Sequence, residues 1–133
     1  CAQRRFGIDG VTFLGGEPFL QAQGLGAVAK MVSARGLSVM TFTGYTVDEL
    51  SRLGLRGTER LLAHTDVLVD GPYERSLPER ERNWVGSSNQ RFHYRSQRYD
   101  ATIERAGSAV RHTEWRIGQN GLIRVNGWPV RVS

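Results

Sequence analysis

The sequence predicts an α/β fold in which short parallel strands alternate with helices. Apolar runs at 11–14, 37–42 and 67–69 are short and nearly continuous, and helical periodicity lies between them. Short apolar strands separated by helices are typical of a parallel sheet. The 133 residues, of which 39% are hydrophobic and 23% charged, suit one soluble domain with a real core.

The helices follow in order between these runs. Apolar residues at helical spacing over 19–34 predict the first helix, and Gly36 stands where a helix would end. Thr46 and Glu49 form a capping box, which predicts the start of a second helix. A third short helix is predicted over 58–64.

The periodicity fails from Gly71 to about Arg98, and this connection is longer than the ~12–15 residues expected of a plain loop. A segment of this length is predicted to be functional or disordered. Beyond it, the predicted strands 112–117 and 122–125 flank Asn120-Gly121, a strong hairpin signal.

The chain is therefore divided into an α/β domain at 1–98 and a β-rich extension at 99–133. The first domain has only three predicted parallel strands. Its first strand would keep a free edge, which we expect to be a site of association with another chain.

Charge and cysteine content restrict partners and location. The net charge of +5 comes from arginine, because Lys30 is the only lysine, and six arginines lie between Arg75 and Arg98. Such a cluster can bind phosphate, but no nucleic-acid recognition motif accompanies it, so a solvated basic face is favoured. The single cysteine, Cys1, excludes an intrachain disulfide and favours a cytoplasmic protein. No apolar run approaches the ~20 residues of a membrane helix.

Polar, glycine-bearing turns follow all three strands and carry the candidate site. The turns are Gly15-Gly16-Glu17-Pro18, Thr43-Gly44-Tyr45 and Asp70-Gly71-Pro72-Tyr73. Parallel strands share one carboxyl edge, where open α/β sheets bind ligands, so Glu17, Thr43 and Asp70 are expected to converge there. Glycine lets a ligand approach the backbone closely, although a plain strand-to-helix turn would explain the first motif equally well.

Together with a fourth segment, these motifs resemble the radical S-adenosylmethionine superfamily, and more narrowly the activating proteins of anaerobic ribonucleoside-triphosphate reductases. The fourth segment is Trp84-Val85-Gly86-Ser87-Ser88-Asn89-Gln90, and the four occur in the family's order over about residues 8–93. The resemblance implies a partial parallel (βα) barrel that binds S-adenosylmethionine and a [4Fe-4S] cluster, here with a C-terminal β-hairpin tail. The reduced cluster would cleave the cofactor to a 5′-deoxyadenosyl radical.

The resemblance also implies cofactor-binding residues. Gly15, Gly16 and Glu17 would lie near the methionine amino group, since an ammonium is well bound by backbone acceptors and a carboxylate. Asp70 stands where relatives place an acid beside the methionine carboxylate, sometimes through a cation. Thr43 is a further candidate.

The fourth segment is the candidate substrate or partner loop, because a tryptophan anchor precedes several hydrogen-bonding groups. Its candidate residues are Trp84, Ser87, Ser88, Asn89 and Gln90, and a turn pinned by a half-buried tryptophan is the alternative. The implied partners are a glycyl radical enzyme, with anaerobic ribonucleotide reductase as the candidate, and an electron donor such as flavodoxin or ferredoxin.

The cysteine content departs from the family pattern. The family holds its cluster with three cysteines in a CxxxCxxC loop, whereas this chain has Cys1 alone, only fourteen residues before Gly15. We therefore predict no metal ligand in this chain and assign no catalytic residue. Two functions compete: an N-terminally truncated radical S-adenosylmethionine enzyme that is inactive alone, or a cluster-less module that binds a nucleoside-like ligand or a partner protein. A nucleic-acid-binding module, supported only by the arginines, is a third and weaker option.

Overall fold

The computed structural model describes residues 10–105, 112–117 and 123–126, and the prediction of an α/β fold is confirmed. The strands are β1 (Gly10–Leu14), β2 (Ser38–Phe42), β3 (Val67–Asp70), β4 (Arg91–Tyr94), β5 (His112–Ile117) and β6 (Ile123–Asn126). The helices are α1 (Ala22–Ala34), α2 (Val47–Leu53) and α3 (Thr58–Ala63), with 3₁₀ helices at Pro18–Gln21 and Ala101–Glu104. Cys1 lies outside the described residues.

Within these ranges the strands form one six-stranded sheet in the order β4-β3-β2-β1-β5-β6. Strands β1, β2 and β3 are parallel, as predicted, and β4 runs antiparallel to β3. Strands β5 and β6 form the predicted antiparallel pair, and the turn between them lies outside the described residues.

The prediction that β1 has a free edge is wrong. Strand β5 runs parallel along that edge, with Gly10 opposite His112 and Leu14 opposite Arg116. Local patterns indicate that a segment is a strand, but they do not show which distant strand it joins. Part of the predicted C-terminal extension therefore belongs to the same sheet as the first domain.

Local sequence accounts for the helix boundaries. The predicted capping box is present at the start of α2, where Thr46 Oγ1 accepts the N–H of Glu49 at 3.1 Å and Glu49 Oε1 accepts the N–H of Thr46 at 2.9 Å. The predicted first helix is divided, because Gln21 has non-helical dihedral angles and separates a 3₁₀ turn from α1. No helix in the described ranges is both long and apolar enough to cross a bilayer.

The two faces of the sheet are covered by different structures. Val11, Phe13 and Leu68 pack beneath the helices on one face. Met40 and Val69 pack on the other face against side chains from the segment at 84–103. A cleft opens at one end of this sheet, where β1, β2 and β3 finish.

Helices α1 and α3 approach closely at Gly57, the residue just before α3, which has a left-handed φ of 87°. A β-carbon at this position would lie 2.4 Å from the backbone nitrogen of Gln23. No side chain fits there, so this glycine allows the two helices to pack against each other.

The aperiodic segment predicted from Gly71 onward has a defined path. It contains β4, which the sequence analysis missed because four alternating residues give too short a signal. An isolated bridge joins Pro78 to Ser87, and the N–H of Ser88 donates to the carbonyl of Leu77 at 2.7 Å.

Candidate functional site

A cleft with a volume of about 210 Å³ lies at the carboxyl ends of β1, β2 and β3. Its walls include the glycine turn at 15–16, Glu17, Thr43, Tyr73 and Gln90. The turns after β1 and β2 thus converge, as predicted, and a residue of the candidate loop joins them.

Glu17 connects the first two turns. Its Oε2 accepts hydrogen bonds from the N–H of Phe19 at 3.0 Å and the hydroxyl of Thr43 at 2.9 Å, and its Oε1 accepts the N–H of Gly44 at 2.8 Å. The side chain thereby caps the first 3₁₀ helix and joins the two strand ends. A carboxylate can accept about four hydrogen bonds, so Oε1 retains acceptor capacity for a ligand.

Thr43 is buried and supports Glu17. Its hydroxyl donates to Glu17 and accepts the N–H of Tyr45 at 3.1 Å, while its backbone N–H donates to the carbonyl of Val69 at 2.9 Å. Because the Thr43 hydroxyl already donates its proton to Glu17, Thr43 positions the Glu17 carboxylate and has no free side-chain donor for a ligand.

Asp70 lies at the same edge, but its carboxylate is fully buried and does not line the cleft. Its Oδ2 accepts the N–H of Val47, the first residue of α2, at 2.9 Å, and the Arg91 guanidinium lies 3.7 Å from the same oxygen. The Nε2 of His93 lies 2.9 Å from Oδ1, without the alignment of a hydrogen bond. The expected convergence therefore holds for the position of Asp70 along the strand and fails for the direction of its side chain.

The candidate loop is fixed to the segment after β3. Trp84 is half-buried and packs against the core on the side of the sheet opposite the helices, with a left-handed φ of 77°. Ser87 is fully buried, and its Oγ accepts the N–H of Glu74 at 3.0 Å. The side-chain amide of Asn89 donates to the carbonyl of Pro72 at 2.7 Å, and Ser88 is exposed. The half-buried Trp84 thus fits the alternative interpretation of this segment, a turn pinned by a tryptophan.

Tyr73 is a cleft residue to which the sequence analysis gave no role. Its side chain is 66% exposed, and its ring lies against Gly86, where a β-carbon would come within 2.9 Å of the ring. The sequence feature that could have identified Tyr73 is its position in the third strand-end motif, Asp70-Gly71-Pro72-Tyr73. His93 and Arg91 were also missed, and their alternation on β4 was too short to suggest that both approach Asp70.

Several of the clustered arginines bind the protein's own backbone. Arg82 donates to the carbonyls of Ser88 and Gln90, and two of its guanidinium nitrogens donate to the same oxygen, Oε1, of Glu79. The hydrogen bonds from Arg82 lower the pKa of Glu79 to about 2. Arg95 and Arg98 donate to carbonyls of Leu62 and Gly36, near the ends of α3 and α1. These contacts give the arginines a structural role that requires no phosphate.

A larger cavity of about 430 Å³ lies beside the start of α1, between Phe19, Leu25, Leu55 and Arg56. No residue of the three strand-end motifs is among those that line it. We therefore assign the candidate site to the smaller cleft, where polar groups from separate turns meet.

Among the described residues, no group of three or more His, Cys, Asp or Glu side chains is arranged to hold a metal ion. The whole sequence contains one cysteine. A [4Fe-4S] cluster normally requires several thiolates, so it does not fit the ligands that this chain offers.

Comparison with known proteins supports the resemblance inferred from the motifs. A family model described as a 4Fe-4S single cluster domain matches residues 2–93. The anaerobic ribonucleoside-triphosphate reductase-activating protein of Enterobacteria phage T4 is 35% identical over 90 residues, which cover 64% of this chain and 53% of that protein. The chain thus spans about half the length of this curated relative, and no solved structure matches it. From its sequence and the extent of the match, the chain belongs to the 4Fe-4S single cluster domain family.

Proposed function

We propose that this chain forms the S-adenosylmethionine-binding part of a radical S-adenosylmethionine activase for an anaerobic ribonucleotide reductase. The observation that carries the proposal is the meeting of the glycine turn at 15–16, Glu17 and Gln90 in one cleft. The family assignment and the name of the phage relative support the activase class. In this proposal, the parallel strands β3, β2, β1 and β5 are the wall of a partial barrel.

The cleft fits the amino-acid end of S-adenosylmethionine in charge and in size. Glu17 offers acceptor capacity to an ammonium, and the exposed turn at 15–16 offers backbone carbonyls close by. A volume of about 210 Å³ is below the range typical of pockets that enclose a whole drug-sized ligand, so the cleft would enclose one end of the cofactor. When bound beside a reduced cluster, the cofactor supplies a radical; this chain's residues bind and orient it.

Because the cluster does not fit the ligands of this chain, we propose that the chain alone does not catalyse activation. Its partners in the proposal are a glycyl radical enzyme and an electron donor such as flavodoxin or ferredoxin. The exposed side of the loop, which carries Ser88, is the proposed contact with the protein substrate, and the half-buried Trp84 anchors the loop to the core. Asp70 would support the cleft indirectly, through α2 and β4.

The direct test is calorimetric measurement of S-adenosylmethionine binding to the chain and to a Glu17→Gln variant. We expect binding to weaken about tenfold, because a charge-assisted hydrogen bond to the ammonium is lost. Gln keeps the shape of Glu but accepts hydrogen bonds at one atom only, so the variant also loses part of the link to Thr43 and Gly44. A thermal unfolding curve must therefore accompany the titration.

Glu59→Gln is the matched control, because Glu59 is an exposed acid on α3 that does not line the cleft, so the variant loses the same charge outside the site. Equal affinity in the Glu17 variant and the parent would show that the turn is structural. Absence of binding by the parent would favour the alternative, a module for a different nucleoside-like ligand or for a partner protein.

A further inference from the structure

We propose that Gln90 recognises the carboxylate at the amino-acid end of the ligand, through its side-chain nitrogen. This inference rests on the proposed function and assigns a specificity-determining role to one residue of the cleft.

The orientation of the Gln90 amide is fixed by its neighbours. Its Oε1 lies 3.0 Å from the backbone nitrogen of Gly86, 3.1 Å from that of Ser87 and 3.3 Å from the Ser87 hydroxyl, and accepts from all three. Backbone N–H groups can only donate, so the oxygen end must face them. The nitrogen end is left as a donor, and it donates no hydrogen bond to another residue in the described part of the chain.

The loop holds this donor in place. Ser87, which supplies two of the three contacts, is fully buried and is itself bonded to the N–H of Glu74. Arg82 donates to the Gln90 carbonyl at 2.9 Å, so the backbone of the residue is held as well. A donor fixed before binding loses little freedom when a ligand arrives, which favours recognition.

The composition of the cleft makes Gln90 the leading candidate for binding a ligand carboxylate. Among the residues lining the cleft, the side chains with N–H or O–H donors are Thr43, Tyr73 and Gln90. Thr43 already donates to Glu17, and Tyr73 is largely exposed. Glu17 attracts an ammonium and repels a carboxylate, so a zwitterionic amino acid would place its carboxylate away from Glu17.

The test compares S-adenosylmethionine with its decarboxylated analogue, which retains the amine, the sulfonium and the nucleoside. Calorimetric titrations are run on the full chain and on a Gln90→Glu variant. Glu keeps an oxygen for Gly86 and Ser87, so the loop retains its internal hydrogen bonds, but it replaces the donor by a second carboxylate oxygen. We expect the parent to bind the cofactor at least about tenfold more tightly than the analogue, and the variant to lose this preference.

Tyr73→Phe tests the competing donor, and we expect it to keep the parent's preference for the carboxylate. Loss of preference in Tyr73→Phe, equal weakening of both ligands in Gln90→Glu, or no preference in the parent would each overturn the proposal for Gln90. If the parent bound neither ligand, the proposed function would fail together with the inference, which distinguishes that failure from a failure of Gln90 alone.

Discussion

Glu17 and Asp70 are acids at the same edge of one sheet, yet they have opposite environments. Glu17 is half-buried beside an open cleft, and its carboxylate accepts from two groups of the turn after β2 and from the N–H of Phe19 in the first 3₁₀ helix. Asp70 is fully buried, bonded to the start of α2 and close to two basic side chains of β4. Placement at the carboxyl edge brings a residue near a site, but the face of the sheet decides whether its side chain enters that site.

The alternation of side chains along a strand explains the difference. Asp70 is the last residue of β3 and is two residues after Leu68, which packs beneath the helices, so both point to that face. Val67 and Val69 point to the opposite face. Glu17 lies three residues beyond β1, within a turn, where this alternation no longer applies.

The largest expected effect comes from removing the buried acid. Asp70→Ala leaves the N–H of Val47 without its acceptor and removes the anion beside His93, so we expect a loss of about 3 kcal/mol in the free energy of unfolding. Urea denaturation measures this loss, with Glu59→Ala as the control for a lost surface charge. A loss below about 1 kcal/mol would show that the buried contacts of Asp70 contribute little.

A smaller stability effect is expected at the cleft. Glu17→Ala removes a helix cap and the connection between two turns, so we expect a loss of about 1–2 kcal/mol in the same urea experiment.

Ligand binding should depend more on Glu17 than on Asp70. We expect Glu17→Ala to weaken S-adenosylmethionine binding more than Asp70→Asn does. If Asp70→Asn weakened binding more, the buried acid would have a more direct role than its orientation indicates.

The smallest effect concerns Glu79, a third acid that acts on the loop through Arg82. Its pKa is lowered from 4.5 to about 2, so its contribution to stability is fully present above pH 4.5 and is lost as the pH falls through about 2. Glu79→Gln should increase amide hydrogen exchange of residues 86–90 at neutral pH, with little change in the strands. Unchanged exchange in that segment would indicate that Arg82 holds the loop without its acidic partner.

Features set by neighbouring residues could be predicted from the sequence. The capping box of Thr46 and Glu49 and the glycine turn before Glu17 depend on local chemistry, and the structure contains both. The direction of Asp70 could not be predicted, because β3 is apolar on both faces and its alternation gives no outward side. The orientation of Gln90 depends on N–H groups of Gly86 and Ser87, whose positions follow from the path of the whole loop.

The pairing of β1 with β5 has a consequence for how the chain reaches its native state. The paired strands are about 100 residues apart in sequence, and such non-local parallel contacts form slowly because a long loop must close first. At typical synthesis rates, roughly 5–20 s separate the emergence of the two strands from the ribosome. During this interval one side of β1 has no strand from its own chain to pair with, so a chain still being synthesised would be more prone to aggregation than the finished protein.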